Sequence, residues 1–331
     1  MRAAVMTEPG SVRVGPADDP RPGPGEVTVE VALTGICGTD LHILDGEFAT
    51  ARFPVTPGHE VTGSVVEAGP GVTGPRPGDR VVVDPGVPCR ACAWCREGRL
   101  NLCANRLAIG VSLPGGAAEL VAVPAINCHV VDPAVDDRTA VLTEPLACVL
   151  HAFDLAPSPA AAEVLVYGAG TVGLLTAQMA RRLGADRVTV VDPNESRLPG
   201  ARKAGADEAL PDARESAVDA WPLVLDASGA GPAIGDGLRR LRRGGTFVQI
   251  GVAAPTTEVP LSPYEVFAGE LTIRGSMTTR DTFARAVRTL VAGAVDTSMI
   301  VGTAVPLSRY AEALDLARSG ESLKVVVEPG R

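Results

Sequence analysis

Aromatic side chains are few: two Trp, three Tyr and six Phe, 3% of a chain of 331 residues. A core made without them must come mainly from Val, Leu, Ala and Ile. Clusters of Lys and Arg are missing too. The formal charge is −9, with 30 basic residues dispersed among 39 acidic ones. That argues against a nucleic-acid surface, because phosphate binding needs grouped cations. No apolar run approaches the roughly 20 residues of a membrane helix. The opening MRAAVMTEPGSVRV has neither an apolar h-region nor a small-residue cleavage site. These absences lead us to expect a soluble cytoplasmic protein.

What is present is globular. The chain is 46% apolar and 21% charged, and its Gly and Pro are plentiful but scattered, as in a turn-rich ordered protein. The length exceeds one ordinary core and suggests two domains. Four of the seven cysteines fall in DPGVPCRACAWCREGRLNLC, residues 84–103: Cys89, Cys92, Cys95 and Cys103. In a reducing compartment such a group points to metal ligation rather than disulfides, and an odd total fits poorly with full pairing. Four thiolates from one segment close a tetrahedral zinc site with no position left for water, so the site is expected to be structural. Spacing alone leaves redox cysteines, a small nucleic-acid-binding zinc module and an iron–sulfur cluster open, although the acidic balance and the lack of a basic helix weigh against the second.

The spacing resembles the structural zinc lobe of the zinc-containing medium-chain alcohol and polyol dehydrogenases. Other segments carry the same resemblance: TGICGTDLH (34–42), PGHEVTGSVVEAGPGV (57–72) and VLTEPLACVLHA (141–152). The resemblance implies that Cys37 and His59 bind a catalytic zinc. Glu144 stands where the alcohol branch has a second cysteine, which places the chain nearer the sorbitol and threonine dehydrogenases. In that branch Glu60 can ligate directly, and Glu144 directly or through water. Cys148, four residues later, is a weaker candidate. A catalytic zinc keeps one position open and lowers the pKa of a bound alcohol. Thr39 and His42 match the family's proton relay, while Asp40 is expected to orient a ligand from behind.

The segment AEVLVYGAGTVGLLTAQMARRLGADRVTVVDPNESR (162–197) reads as strand, glycine loop, helix, strand and acid. Gly168, Gly170 and Gly173 with Thr171 and Val172 form the loop. Val172, Leu175, Thr176, Met179 and Leu183 recur at helical spacing, and Gly184 is the expected cap. A lone glycine loop is a weak signal, but this context makes it a dinucleotide fingerprint. A pyrophosphate sits at such a helix N-terminus. Asp192 would accept from the adenosine ribose and repel a 2′-phosphate, so NAD is expected over NADP; Arg197 nearby tempers that expectation. Further strands are expected in LVLDASG (223–229), GGTFVQIGV (244–252) and LTIRGSM (271–277), and the stretch 207–221 is expected to be a trimmed unit.

The resemblance covers nearly the whole chain and implies an α/β protein. A GroES-like β-barrel catalytic domain would span 1–146 and 278–331, with the zinc lobe at 84–105. A Rossmann domain with a doubly wound parallel sheet would span 147–277. Lys324 matches a basic position that reaches the pyrophosphate. The loops around Ile250–Val252 and Gly275–Met277 would line the nicotinamide. Two zinc ions per chain, a small alcohol substrate of the polyol, sugar or cyclitol class, and a homodimer or homotetramer follow from the same resemblance. Two positions depart from it: Ala304 stands where polyol members often carry arginine, and Ile43 replaces an aromatic of the sorbitol enzymes. Leu44, Phe48, Phe53 and Leu113 are either pocket or core residues. A zinc-free reductase and a non-catalytic nucleotide binder are the competing classes; the first usually lacks the cysteine lobe, and the second would show a lost ligand.

Overall fold

The computed structural model describes residues 1–330 apart from Ala217 and Asp219. The chain divides into two units. One comprises Met1–Glu144, Thr279–Gly293 and Ile300–Arg331; the other comprises Pro145–Thr278 and Ala294–Met299. The short return of Ala294–Met299 is fixed by Gln178, whose amide donates to Asp296 O and accepts from Asp296 N.

The first unit is mainly antiparallel. Among the described residues a seven-stranded sheet runs Val301–Pro306, Lys324–Glu328, Glu26–Gly35, Glu60–Ala68, Arg80–Val83, Cys128–Val130, with Leu120–Pro124 also paired to Glu26–Gly35. Alternation drives it: Val27, Val29 and Val31 point inward with Val61, Val65, Val81, Val83, Val121 and Val123, while Glu30 points out. A second core packs Met6, Ile36, Ile43, Val55, Leu307, Tyr310 and Val327. Leu44, Phe48 and Phe53 pack against that core and Leu113 against the valine core. One register matters for chemistry. Gly35 pairs with Glu60 on one side and Val326 on the other, which brings the segments after position 35 and before position 61 side by side.

The second unit holds a six-stranded sheet among the described residues, in the order Glu208–Leu210, Arg187–Val191, Glu163–Tyr167, Trp221–Asp226, Leu241–Gln249, Thr272–Gly275, every pair parallel. Numbered within the unit this is 3-2-1-4-5-6, the doubly wound order, whose direction reverses between Glu163–Tyr167 and Trp221–Asp226. The helix Thr171–Arg182 follows the expected periodicity with one correction. Leu174, Leu175, Met179 and Ala180 are buried, but Leu183 is the C-cap residue and 40% exposed. The stretch 207–221 contributes only a three-residue strand and a 3₁₀ turn over Ala213–Glu215 among the described residues; Ala217 and Asp219 lie outside them. Among the described residues no helix is long and apolar enough to cross a membrane.

Candidate metal centres and cofactor loop

Cys37 precedes the helix Gly38–Leu44 as its N-cap residue, two positions beyond the strand that pairs with Glu60. Asp40, fully buried, ties two loops together: its Oδ2 accepts from Cys37 N at 2.8 Å and its Oδ1 from Gly58 N at 3.3 Å. His59 Nδ1 lies 3.7 Å from Asp40 Oδ1, beyond a hydrogen bond but aligned as an ion pair. The result is that one ligand atom each of Cys37, His59 and Glu60 lies within 4.8 Å of the others. Glu144 is buried but lies outside that group, as does Cys148. Burial pulls the His59 imidazolium pKa down, but Asp40 and Cys37 outweigh it and the net shift is well upward. A soft sulfur, an imidazole and a carboxylate around one gap form a donor set that fits zinc with a position left open.

Thr39 and His42 sit on the same short helix. Cys37 Sγ and Thr39 Oγ1 are 3.9 Å apart. His42 is half-buried, and its Nδ1 lies 2.8 Å from Glu47 Oε2. Glu47 was not singled out in the sequence; it lies past the helix end, where no periodicity marks it.

Lys324 is placed otherwise than expected. It is not a free cation available to a phosphate: the side chain is buried, and Nζ donates to both Glu60 oxygens, at 2.6 and 2.7 Å, and to Ile36 O at 3.1 Å. Burial lowers its pKa, but Glu60, Cys37 and Glu144 outweigh that and raise it. A buried carboxylate without its own cation would be costly, and Lys324 supplies that cation.

The four lobe cysteines converge. Cys92 Sγ lies 3.6 Å from Cys95 Sγ and 3.9 Å from Cys103 Sγ. A tetrahedron with ~2.3 Å Zn–S arms has edges of about 3.8 Å, whereas a disulfide needs ~2.05 Å. The amides of Cys89 and Cys92 donate to Cys103 Sγ and Cys89 Sγ. Backbone donors Ala91 and Cys92 pull the Cys89 thiol down to about 6, while desolvation and the neighbouring thiols push Cys95 up to about 12. Together the four can all be thiolates only around a cation, which is the fit a closed metal site requires. Cys128, by contrast, is pushed up to about 12 by burial alone, which favours the protonated thiol.

In the second unit Gly170 caps the helix Thr171–Arg182. Gly173 is obligatory: a Cβ there would fall 1.7 Å from Gly168 O. The loop after Glu163–Tyr167 meets the loop after Trp221–Asp226, since a Cβ on Gly168 would lie 3.2 Å from Ser228 N. This crevice is where such sheets bind ligands. Asp192, buried, accepts from Ala169 N and Asn194 N, each at 2.8 Å, and lies 3.5 Å from an Arg197 guanidinium nitrogen. Asp226, unmarked in the sequence reading, is fully buried and accepts from Ser228 N, Gly229 N and Gln249 Nε2, holding the second loop.

Residues 23–133 match the family model of the alcohol dehydrogenase GroES-like domain, and residues 171–292 that of the zinc-binding dehydrogenases. The chain is 35% identical to D-arabinitol dehydrogenase 1 of Uromyces fabae, over 99% of this chain and 97% of that one. Its fold superposes on a zinc-binding dehydrogenase from Sinorhizobium meliloti 1021 bound to NADP, with a TM-score of 0.94, 33% identity and 99% of each chain covered. It also superposes on an alcohol dehydrogenase from Escherichia coli CFT073 complexed with NADH, with a TM-score of 0.91, 28% identity and 99% of each chain covered.

Proposed function

Because the chain belongs to the zinc-containing medium-chain alcohol and polyol dehydrogenases, we propose that it oxidises a secondary alcohol of a polyol, sugar or cyclitol to the ketone, passing hydride to a nicotinamide cofactor. The observation that carries this reading is the convergence of Cys37, His59 and Glu60 beside a hydroxyl and an imidazole on one helix.

Cys37 Sγ, His59 and Glu60 would hold the catalytic zinc, with Glu144 as a further carboxylate. A zinc ion there supplies Lewis acidity, lowering the pKa of the substrate hydroxyl. Thr39 Oγ1 would accept the substrate's hydroxyl proton while handing on its own, and His42 would carry that proton outward, with Glu47 orienting the imidazole through Nδ1. Asp40 fixes the Cys37 and Gly58 backbones so that the ligands stay in register. Cys89, Cys92, Cys95 and Cys103 would hold a second, structural zinc. Apart from Ala294–Met299, which belong to the second unit, the proposed division of 1–146 with 278–331 around 147–277 places both metal sites in one part and the glycine loop in the other.

In that half Gly168, Gly170, Thr171, Val172 and Gly173 would receive the pyrophosphate, and Asp192 the adenosine ribose. We assign a preference for NAD over NADP, supported by the buried carboxylate at Asp192; Arg197 and the NADP held by the Sinorhizobium protein weigh against it. A homodimer or homotetramer is supported by the open edge strand Thr272–Gly275 and the nearby Tyr264 and Phe267, 75% and 80% exposed. The clustered thiols suit the reducing cytoplasm.

The test is a panel of pentitols, hexitols, sugars and cyclitols assayed by NADH and NADPH absorbance, with zinc counted by elemental analysis. Two zinc ions per chain and NAD-linked oxidation of a polyol are expected. Absence of zinc, or iron in the lobe, would overturn the reading.

A further inference from the structure

Lys324 opens the strand Lys324–Glu328, and its ammonium has three donors. Its bonds go to Glu60 Oε1, Glu60 Oε2 and Ile36 O. Both oxygens of Glu60 are thus engaged by one cation. The same carboxylate offers an oxygen within 4.8 Å of Cys37 Sγ and a His59 nitrogen. A dication at that gap and the Lys324 ammonium therefore compete for a single buried carboxylate. Glu60 has little room to retreat. It is 1% exposed, and a Cβ on its strand partner Gly35 would fall 1.9 Å from Oε2; only glycine leaves space for the carboxylate between the strand and Lys324.

We infer that Lys324 is a positioning residue which keeps Glu60 exchangeable, and so sets how tightly the metal at Cys37 and His59 is held, given that these two bind zinc as proposed above. With Glu60 on Lys324, the metal relies on Cys37, His59 and other oxygen donors. With Glu60 on the metal, Lys324 keeps Ile36 O and loses its hydrogen-bonded carboxylate. Neither arrangement satisfies every group, which makes Glu60 a ligand that can leave.

Zinc release from the holoenzyme into a chromogenic chelator tests this. His59→Ala identifies the release phase that belongs to this site, as distinct from the phase of the cysteine lobe. Lys324→Met should slow that phase on the order of tenfold, the scale that outer partners of metal ligands commonly carry. The double variant Glu60→Gln/Lys324→Met should lose that gain and release as fast as wild type or faster. In the cobalt-substituted protein the d–d bands should move in Lys324→Met and not in the double variant. If Lys324→Met does not fold, Lys324→Gln, which retains a donor, should slow release in the same direction. An unchanged or faster phase in the foldable single variant would overturn the inference. A double variant as slow as the single would also overturn it, because the gain would then be loss of a positive charge and not release of Glu60. If wild type shows no phase that His59→Ala removes, the zinc reading itself falls and this inference with it.

Discussion

His42, in the last turn of the helix Gly38–Leu44, faces Glu47 beyond the helix end, with Nδ1 2.8 Å from Oε2. The pair lies at the solvent edge, while Asp40 on the same helix is fully buried. One short helix thus presents a buried anchor for the ligands and an outer imidazole.

That arrangement predicts graded effects. His42→Ala should lower kcat toward the lower end of the ~10²–10⁴-fold that acid–base groups contribute, because bulk water partly replaces a relay. The deficit should shrink as pH rises, since the relay serves only to remove the alcohol proton. Glu47→Ala should cost less, roughly fivefold, the scale of one net hydrogen bond. Profiles of kcat against pH for the two variants check the order; an equal or larger loss in Glu47→Ala would contradict it.

The cysteine lobe should behave as a folding element. Cys89→Ser removes one of four thiols whose sulfurs all lie within 4.8 Å of one another, two of the pairs at tetrahedral-edge distances. Because a structural metal's binding free energy is folding free energy, the variant should lose one zinc and unfold at a clearly lower temperature. The zinc held at Cys37 and His59 should remain. Elemental analysis with calorimetry decides, and a variant with wild-type zinc content and melting temperature would refute the closed site.

Asp192 should govern cofactor choice. Its two oxygens already hold Ala169 N and Asn194 N, so Asp192→Ala also leaves the buried Ala169 N–H without its acceptor, at about 1–3 kcal/mol. The variant is expected to lose stability and to narrow the gap in kcat/KM between NAD and NADP. Wild type that already prefers NADP strongly would show that Arg197 decides.

The parts of the molecule legible in the sequence are those whose signal is local. The glycine loop, its flanking strands and the cysteine spacing each fit within some 35 residues, and Cys37 and His59 stand in short patterns of their own. What was not legible depends on long-range register. Lys324 lies 264 positions from Glu60, and a single lysine opening a valine strand looks like a surface cation. Only the pairing of Gly35 with both Glu60 and Val326 turns it toward the ligands. Leu183 fits the helical period but falls at the cap, where the chain is already turning to Gly184, so its side chain escapes burial. Glu47 and Asp226 bond across loops, where neither period applies.

The last prediction concerns acid stability. His129 belongs to the strand Cys128–Val130 and stacks on Phe283, with ring centroids 5.0 Å apart. It lines a cavity of about 260 Å³ with Asp84, Arg90, Arg106, Arg280 and Asp281. Burial lowers its pKa below the ordinary value near 6.5. The native state therefore prefers the neutral ring, and below about pH 6.5 the unfolded chain binds the proton that the native chain refuses. Stability rises with pH wherever the unfolded state binds more protons. The contribution of His129 is thus complete above pH 6.5 and is lost as pH falls through its lower native value. Each unit of depression corresponds to about 1.4 kcal/mol. Asp84, raised by its own burial, acts with the opposite sign, but both proteins carry it, so comparing wild type with a His129 variant isolates the histidine. In denaturant titrations of the zinc-loaded protein, wild type should lose stability on acidification from pH 7 toward 5, and His129→Gln should lose less over the same interval. Identical slopes in the two proteins would show that His129 is solvated in the native state and that the stack on Phe283 does not exclude water.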